Sequence, residues 1–357
     1  MTLGNLLEHV APFDIDAALL ADVAAQAGSV DADAAADRRG VLAGLARAGL
    51  LDPGLPGSTG TYLDQTRVLA ALASRCMSTA FSAWAHRMTL EYIGAHSAGK
   101  HRSELDALTS LDAVGSTAMA GTFRAATGQE ELTVRITEAA DGTLVANGFI
   151  PWASNLYDNA IIVTGMLHDG VRRIVVIEAR RRGVGIEPTP QLMALDASRS
   201  GSIRLVDVPV DAGDFIDVEF MEFVRAVRPV FLAMQSSFCL GLAAGSLDSI
   251  RELQGVAKSL QGNLDDHRSR WSQLCGRNQA LATWLTDRQG TVPVDPVRVR
   301  LEAGRLAVSA TQLELAICGG RSYEATSATS RRVREALFLP VQSPTEAQLQ
   351  WELQQSR

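Results

Sequence analysis

The chain has 357 residues, 46% of them hydrophobic and 20% charged, which is more than one hydrophobic core usually serves and predicts two or three structural units. This composition excludes an intrinsically disordered chain and a small disulfide-stapled module. The net charge of -7, with Arg180–Arg182 as the densest basic run, argues against nucleic acid as a partner.

The sequence shows no pattern typical of a membrane span or an export signal. No stretch reaches the roughly 18 to 20 uninterrupted apolar residues of a span, and residues 1–10 lack the basic start and apolar run of a signal peptide. We therefore expect a soluble cytoplasmic protein that does not contact a membrane. The four cysteines are far apart, without a Cys-x-x-Cys pair or a close His, and we interpret each as a buried small apolar residue: Cys76, Cys239, Cys275 and Cys318.

Apolar residues at three- and four-residue spacing predict helices over residues 14–110, interrupted by a Gly- and Pro-rich loop at 52–60. From about Val114 the pattern changes to short β-branched segments separated by turns, which predict a small antiparallel sheet. Helical periodicity returns at Met221 in four long segments that suit an antiparallel bundle. We predict an α+β chain with an N-terminal helical domain (1–112), a middle antiparallel β domain (113–220) and a C-terminal four-helix bundle (221–357).

One string between two predicted strands is the most informative in the sequence. Gly148 is followed by Trp152, Ala153, Ser154 and Asn155, and this spacing resembles the middle-domain motif of the acyl-CoA dehydrogenase superfamily. The resemblance implies that Trp152 packs on a flavin ring, that Ser154 donates a hydrogen bond to the ring edge, and that Ala153 adds a backbone contact. An aromatic face suits a planar apolar cofactor, and hydrogen bonds tune its chemistry. The alternative is a core tryptophan with a turn serine.

Further segments are similar to the same superfamily and follow in the same order. Residues 197–210 resemble the strands that end the β domain, and residues 223–247 resemble the first bundle helix, with Arg228 at the family's arginine near the active site. Residues 318–345 resemble a Gly-Gly turn and the helix before the catalytic loop. The resemblance covers the chain beyond its first helices, and it implies a flavin-dependent oxidoreductase that assembles as a homo-oligomer, a dimer or a homotetramer.

The residue expected as the catalytic base is replaced. The superfamily's dehydrogenases place a Glu nine residues beyond the arginine that corresponds to Arg334, and this position holds Ser343. The position that some members use instead, just before Arg228, holds Val227. Serine has no basic form near neutral pH without a partner base, so the usual dehydrogenation requires a base from elsewhere. Glu346 is one alternative, and its other interpretation is an ordinary acid at a helix N-terminus.

The segments that would hold the far end of a flavin dinucleotide also differ from the family. Lys258 stands where the resemblance places an arginine that reaches the pyrophosphate, and a point charge replaces the guanidinium fork. Gly319 and Gly320 match the turn that lets backbone approach the dinucleotide, so we expect FAD, with FMN as the alternative. The resemblance implies further cofactor contacts from the hydroxyls of Thr117 and Thr345, and Thr117 could equally be an ordinary strand threonine.

A histidine of the first helical region completes the predicted site. His86 lies close to the place where flavin monooxygenases of this superfamily carry a helix histidine, and imidazole can donate a proton near neutral pH. The alternative is a structural histidine. We expect catalysis to involve His86, Ser154, Arg228 and Ser343.

Both usual positions of the Glu base are empty while the flavin contacts remain. We therefore expect an O2-using monooxygenase that acts on a small organic or carrier-bound substrate and receives reduced flavin from a separate reductase. One alternative is an acyl-thioester dehydrogenase with a relocated base. The other is a catalytically silent subunit that completes a partner's flavin site.

Overall fold

The computed structural model of the protein describes residues 15–96, 99–188, 191–250 and 253–355. Within these ranges five helices precede the sheet region, one short helix interrupts it and five helices follow it. The helices are α1 (Ala17–Ala32), α2 (Arg39–Arg47), α3 (Tyr62–Arg75), α4 (Met77–Gly94), α5 (Arg102–Ser110), α6 (Ala120–Ala126), α7 (Phe220–Ser249), α8 (Gln261–Asp287), α9 (Pro296–Cys318), α10 (Ala328–Leu337) and α11 (Glu346–Gln355). The strands are β1 (Val114–Thr117), β2 (Val134–Glu138), β3 (Leu144–Ala153), β4 (Ala160–His168), β5 (Val171–Glu178), β6 (Val184–Pro188), β7 (Gly201–Val210) and β8 (Phe215–Ile216).

The predicted α+β architecture is confirmed, and local side chains explain several helix ends. The N-terminus of α3 has a capping box, in which the Thr61 hydroxyl accepts from the Asp64 amide and the Asp64 carboxylate accepts from the Thr61 amide. The sequence pattern predicted one helix over 61–96. The structure has two, because Cys76 is extended (φ -153°) between α3 and α4, and neither a Gly nor a Pro marks that break.

The strands form one sheet in the order β6-β7-β3-β2-β4-β5-β8, and β1 pairs with β4 outside this path. The prediction of a purely antiparallel sheet is wrong in one respect, because β1 and β2 each run parallel to β4. The chain passes through α6 and the β2–β3 hairpin before it returns as β4, and such a long connection permits parallel pairing. Three residues after β1 the chain enters the short helix α6.

The central strand β4 separates two hydrophobic cores. Its side chains alternate, so that Ile161 and Val163 pack in the core shared with the helices, while Ile162 and Met166 pack in a second core formed by the sheet itself. Both faces of the sheet are therefore covered at this strand. Because alternate side chains of β4 belong to different cores, they determine which face of the sheet packs against the helices.

The longest helix, α7, lies at the centre of the helical layer and contacts α3, α8 and α9. Gly241 and Gly245 face α3, where a Cβ atom would lie 2.1 Å from the Ala70 carbonyl oxygen and 2.4 Å from that of Ser74. The predicted fourth long segment of the bundle is shorter than expected: α10 has ten residues, and α3 of the N-terminal region packs along α7 and α8 instead. Two segments distant in sequence thus share one layer.

The longest helix is also apolar enough to cross a membrane by length and composition, and in the part of the chain that the structure describes it alone meets that test. Its most apolar window is entirely buried inside the protein, as in the core helix of a globular domain. The cysteines differ from the prediction in part. Cys76 and Cys239 are buried, whereas Cys275 is half-buried and Cys318 is exposed, because Cys318 is the last residue of α9.

Candidate functional site

The candidate site begins at a bulge in β3. Ile150 pairs with Ile203 and Ala153 pairs with Gly201, so three steps of β3 oppose two steps of β7. The extra residue changes the alternation of side chains, and the indole of Trp152 is 54% exposed although Ile150 and Ala153 are buried. A planar ligand can cover an exposed aromatic surface of this size.

The turn that follows Trp152 is fixed by one asparagine. Asn155 adopts the left-handed conformation (φ 57°), which asparagine tolerates better than most residues. Its Nδ2 atom donates to the carbonyl oxygens of Ser82 in α4 (2.8 Å) and Gly115 in β1 (3.1 Å). The end of β3 is therefore held against two other elements, which keeps the indole of Trp152 in a constant place.

The structure brings two predicted cofactor contacts, Ser154 and Thr117, together through β1. The hydroxyl of Ser116 donates to the Ser154 carbonyl (2.6 Å), and Thr117 is the next residue along β1. The Ser154 hydroxyl oxygen accepts from Ser200 (3.3 Å), which leaves its own hydrogen available to donate. Thr117 shares a hydrogen bond with the hydroxyl of Tyr92 (3.2 Å), so its predicted free hydroxyl already has a partner.

The predicted proton donor His86 is enclosed by the chain's own packing. Its ring is completely buried, and Nδ1 accepts from the backbone amide of Gly115 (2.9 Å), which joins α4 to β1. Burial lowers the pKa of His86 to about 4, so the ring is neutral near pH 7. Because none of its surface is accessible, this histidine supports the fold, which was the alternative interpretation of the sequence.

Ser343 and Thr345 lie in the segment that joins α10 to α11. The backbone carbonyl of Ser343 accepts from Gln235 Nε2 in α7 (3.0 Å). The Ser343 hydroxyl is buried and has no hydrogen-bond partner among the described residues, so no base polarises it. The Thr345 hydroxyl accepts from the amide of Gln348 (3.2 Å) and caps α11, and its own hydrogen stays available to donate.

Arg228 reaches the C-terminal helix α11. Its Nη2 atom donates to both carboxylate oxygens of Glu352 (2.7 and 2.6 Å), and its guanidinium lies over the ring of Phe123 in α6 (5.4 Å). Nη1 of Arg228 is buried without a partner among the described residues. Arg228 and Gln235 are seven residues apart on α7, so one helix face meets both α11 and the Ser343 segment. Sequence reasoning missed Glu352, because nothing in the motif pointed to it.

The alternative base Glu346 lies on the outer side of α11. It accepts two hydrogen bonds from the guanidinium of Arg305 in α9 (3.0 and 2.9 Å). Both side chains are partly exposed, and Glu346 is in the first turn of its helix. This placement agrees with the interpretation of an acid at a helix N-terminus.

The residues predicted to hold the far end of a dinucleotide belong to other elements than Trp152, at the start of α8 and the end of α9. Lys258 is exposed in a short 3-10 segment (Gly255–Leu260) before α8. Gly319 has φ 69° at the end of α9, and both it and Gly320 face open space. No hydrogen bond or ion pair within the described ranges joins these three residues to Trp152 or Ser154. The open space at Gly319 and Gly320 therefore leaves room for a ligand that is not part of this chain.

An aromatic cluster beside the site was not predicted. Trp84 stacks on Phe81 in α4 (5.2 Å between ring centres) and meets Phe231 (5.0 Å) and Phe238 (5.9 Å) of α7 edge-on. Phe81 also meets Phe338 just after α10 (5.1 Å). The aromatic residues of this cluster are three positions apart in α4 and seven apart in α7. The sequence shows this spacing, but the spacing does not indicate which helices face each other.

Comparison with known proteins supports the fold. No family model matches the chain, and no curated protein matches it. Among solved structures, butyryl-CoA dehydrogenase from Megasphaera elsdenii is similar at a TM-score of 0.83 and 17% identity, covering 98% of this chain and 97% of that one. Dibenzothiophene monooxygenase (TdsC) from Paenibacillus sp. A11-2 is similar at a TM-score of 0.76 and 16% identity, covering 96% and 94%.

A third similar structure is that of PigA with FAD and proline, at a TM-score of 0.77 and 15% identity, covering 96% of this chain and 98% of that one. At these identities the comparisons establish the fold and no more. The expectation drawn from the sequence motifs is confirmed at that level, and the chain has the acyl-CoA dehydrogenase-like fold.

Proposed function

We propose that the protein, which has the acyl-CoA dehydrogenase-like fold, is a flavin-dependent oxidoreductase. The observation that carries the proposal is the exposed indole of Trp152, two residues before Ser154, at a strand end that Asn155 holds against two neighbouring elements. An exposed aromatic face of this kind matches the face of a planar heteroaromatic ring, and the Ser154 hydroxyl, which is free to donate, would serve its polar edge. A bound flavin would supply electron transfer and, once reduced, reaction with O2.

The residues present fit FAD better than they fit FMN. Trp152 and Ser154 would contact the ring, and Ala153 would lie between them. Lys258 offers a positive charge for a phosphate, and the open backbone at Gly319 and Gly320 allows close approach of a dinucleotide. Because no hydrogen bond or ion pair of the described residues joins these two groups, we propose that a homo-oligomer brings them together across a subunit boundary. The structure of PigA with FAD is consistent with this choice of cofactor.

We propose that the reaction is an O2-using monooxygenation. Ser343 has no base to activate it, and the two carboxylates placed near its segment are each bound by an arginine. Each of these carboxylates already accepts hydrogen bonds from a guanidinium, Glu352 from Arg228 and Glu346 from Arg305. The likeness to dibenzothiophene monooxygenase supports the proposal. The substrate would be a small organic or carrier-bound molecule, and a separate reductase would deliver the reduced flavin.

Acyl-thioester dehydrogenation is the second candidate, and Glu352 is the observation in its favour. This carboxylate meets the same face of α7 as Ser343 does and keeps 13% of its side-chain surface exposed. Release from Arg228 on substrate binding would provide the missing base. The likeness to butyryl-CoA dehydrogenase is consistent with this reaction.

The test begins with the absorbance spectrum of the purified protein, before and after incubation with FAD or FMN. A yellow protein is expected to be photoreduced anaerobically and then to reoxidise on mixing with O2 through a transient spectrum distinct from both the oxidised and reduced forms. Direct reoxidation, together with anaerobic bleaching by an acyl thioester that Glu352→Gln abolishes, would support the dehydrogenase instead. A colourless protein that binds neither flavin would overturn both candidates and favour the silent subunit.

A further inference from the structure

Arg300 is a buried cation without an acidic partner. Its side chain, on α9, is among the largest fully buried ones, with 1% of the residue exposed. No ion pair joins it to a carboxylate of the described residues, whereas the buried Arg87 pairs with Glu91 and the buried Arg331 with Glu335. A buried charge is costly unless surrounding groups compensate it. The compensation here comes from neutral acceptors alone.

Those acceptors belong to the Ser343 segment or contact it. Arg300 Nη2 donates to the Leu339 carbonyl (3.1 Å) and to Gln342 Oε1 (3.1 Å). Arg300 Nε donates to Gln235 Oε1 (3.0 Å), and the other end of that amide donates to the Ser343 carbonyl. One guanidinium therefore holds three positions of residues 339–343, two directly and one through Gln235.

The backbone of α9 is adapted to this arrangement. Gly304 lies one helical turn beyond Arg300, and a Cβ atom there would lie 2.6 Å from Arg300 Nη1. Any larger residue at 304 would press on Nη1, the outer end of the Arg300 side chain, and the guanidinium would have to shift. The absence of a side chain at this point is a second observation, independent of the hydrogen bonds, that the placement of Arg300 matters.

We propose that Arg300 is a positioning residue that fixes residues 339–343, and through them Ser343, against α7 and α9. An apolar side chain of the same volume would fill the core at less electrostatic cost, so a purely structural role does not require a cation here. The positioning is a property of the chain itself, independent of the proposed function, and can be tested without a flavin.

The test is hydrogen exchange of the flavin-free protein, comparing wild type with Arg300→Met. The amides of Gln342 and Glu346 report the segment, because they donate to the carbonyls of Phe338 (2.9 Å) and Pro340 (2.8 Å). We expect their exchange to accelerate at least about tenfold more than that of the core amides of β4, as local opening no longer has to break the guanidinium contacts. Arg300→Lys should restore part of the protection, since it keeps the charge with fewer donors.

Two further variants separate positioning from general destabilisation. Gly304→Ala keeps the charge and displaces it, so it should reproduce the local acceleration. Gln235→Leu removes the relay to Ser343 and the acceptor of Arg300 Nε but keeps both Nη2 contacts, so it should give a smaller acceleration of the segment amides. The matched control is Gln65→Leu in α3, a fully buried glutamine whose amide atoms have no partner in the part of the chain described here.

The control variant Gln65→Leu should leave the hydrogen exchange of the segment amides unchanged. Equal acceleration of segment and core amides in Arg300→Met would overturn the proposal and make Arg300 a general stabiliser. Unchanged segment amides in both Arg300→Met and Gly304→Ala would overturn it as well. Failure to bind flavin would contradict the proposed function but would not alter these results, so the two failures are distinguishable.

Discussion

Removing the indole of Trp152 should weaken flavin binding far more than it weakens the fold. A tryptophan side chain presents about 250 Å² when fully exposed, so the 54% exposure of Trp152 leaves about 130 Å² for a ligand to cover. At about 25 cal/mol per Å², full coverage contributes about 3 kcal/mol and half coverage about half of that. Trp152→Ala should therefore raise the Kd for FAD between about 10-fold and about 200-fold. Trp152→Phe, which keeps an aromatic face, should raise it less.

The assay is a titration of the flavin-free protein with FAD, followed by calorimetry or by quenching of flavin fluorescence. The matched control is Trp351→Ala, which removes another partly exposed indole (39%) from α11 and should leave the Kd unchanged. Thermal unfolding of the flavin-free variants checks that the folds are equivalent. If Trp152→Ala binds FAD within about twofold of wild type while its unfolding is unchanged, Trp152 is not the ring contact, and the main support for a flavin site is lost.

Three further predictions concern the fold. Gly241→Ala should lower the free energy of unfolding in urea by about 1–3 kcal/mol, because its Cβ would overlap the backbone of α3, whereas Gly276→Ala, in open space on α8, should raise it by roughly 0.5–1 kcal/mol. Burial raises the pKa of Glu335 in the folded chain to about 7 from 4.5, so the folded state binds this proton more tightly than the unfolded state does. The free energy of unfolding should therefore fall as the pH rises from about 4.5 through about 7. Glu335→Gln should remove this contribution, which is checked by measuring the free energy of unfolding between about pH 4.5 and about pH 8. Arg228→Met should destabilise the protein by up to about 3 kcal/mol, because Glu352 loses its partner, and adding Glu352→Leu should recover most of the loss in a double-mutant cycle.

Each of these predictions has a contrary result. Equal effects of the two glycine variants would mean that α3 and α7 do not approach as closely as the structure has them. A stability–pH curve of Glu335→Gln that parallels wild type would show that this carboxyl titrates alike in both states. Additive effects of the Arg228 and Glu352 substitutions would show that the ion pair contributes nothing to stability.

Elements with one buried face show an apolar stripe in the sequence, so their orientation could be predicted. Elements buried on every side show no such stripe, and their orientation could not be predicted. The motif from Trp152 to Asn155 drew attention to a strand end where the structure exposes an indole, but the bulge and the left-handed Asn155 at that end were not predicted. The direction of the His86 side chain could not be predicted either, because every residue from Met77 to Ile93 is buried, so α4 has no apolar stripe to show which way a given side chain points. Only tertiary packing decides that this imidazole meets β1 and not a ligand.

The residues at and around Ser343, where the resemblance places a catalytic Glu, indicate more about the chemistry than the flavin motif does. Where the resemblance places a carboxylate, the chain has an unpolarised hydroxyl at Ser343, while two guanidinium groups hold the elements around it. Glu352 neutralises Arg228, but neutral acceptors alone surround Arg300. Near residues 339–343, the charge of Arg300 is therefore not paired with a carboxylate of the described residues. The two carboxylates near this segment, Glu346 and Glu352, are each bound by an arginine. Such a setting is consistent with the proposed monooxygenation, in which no side chain at this position has to remove a proton from the substrate.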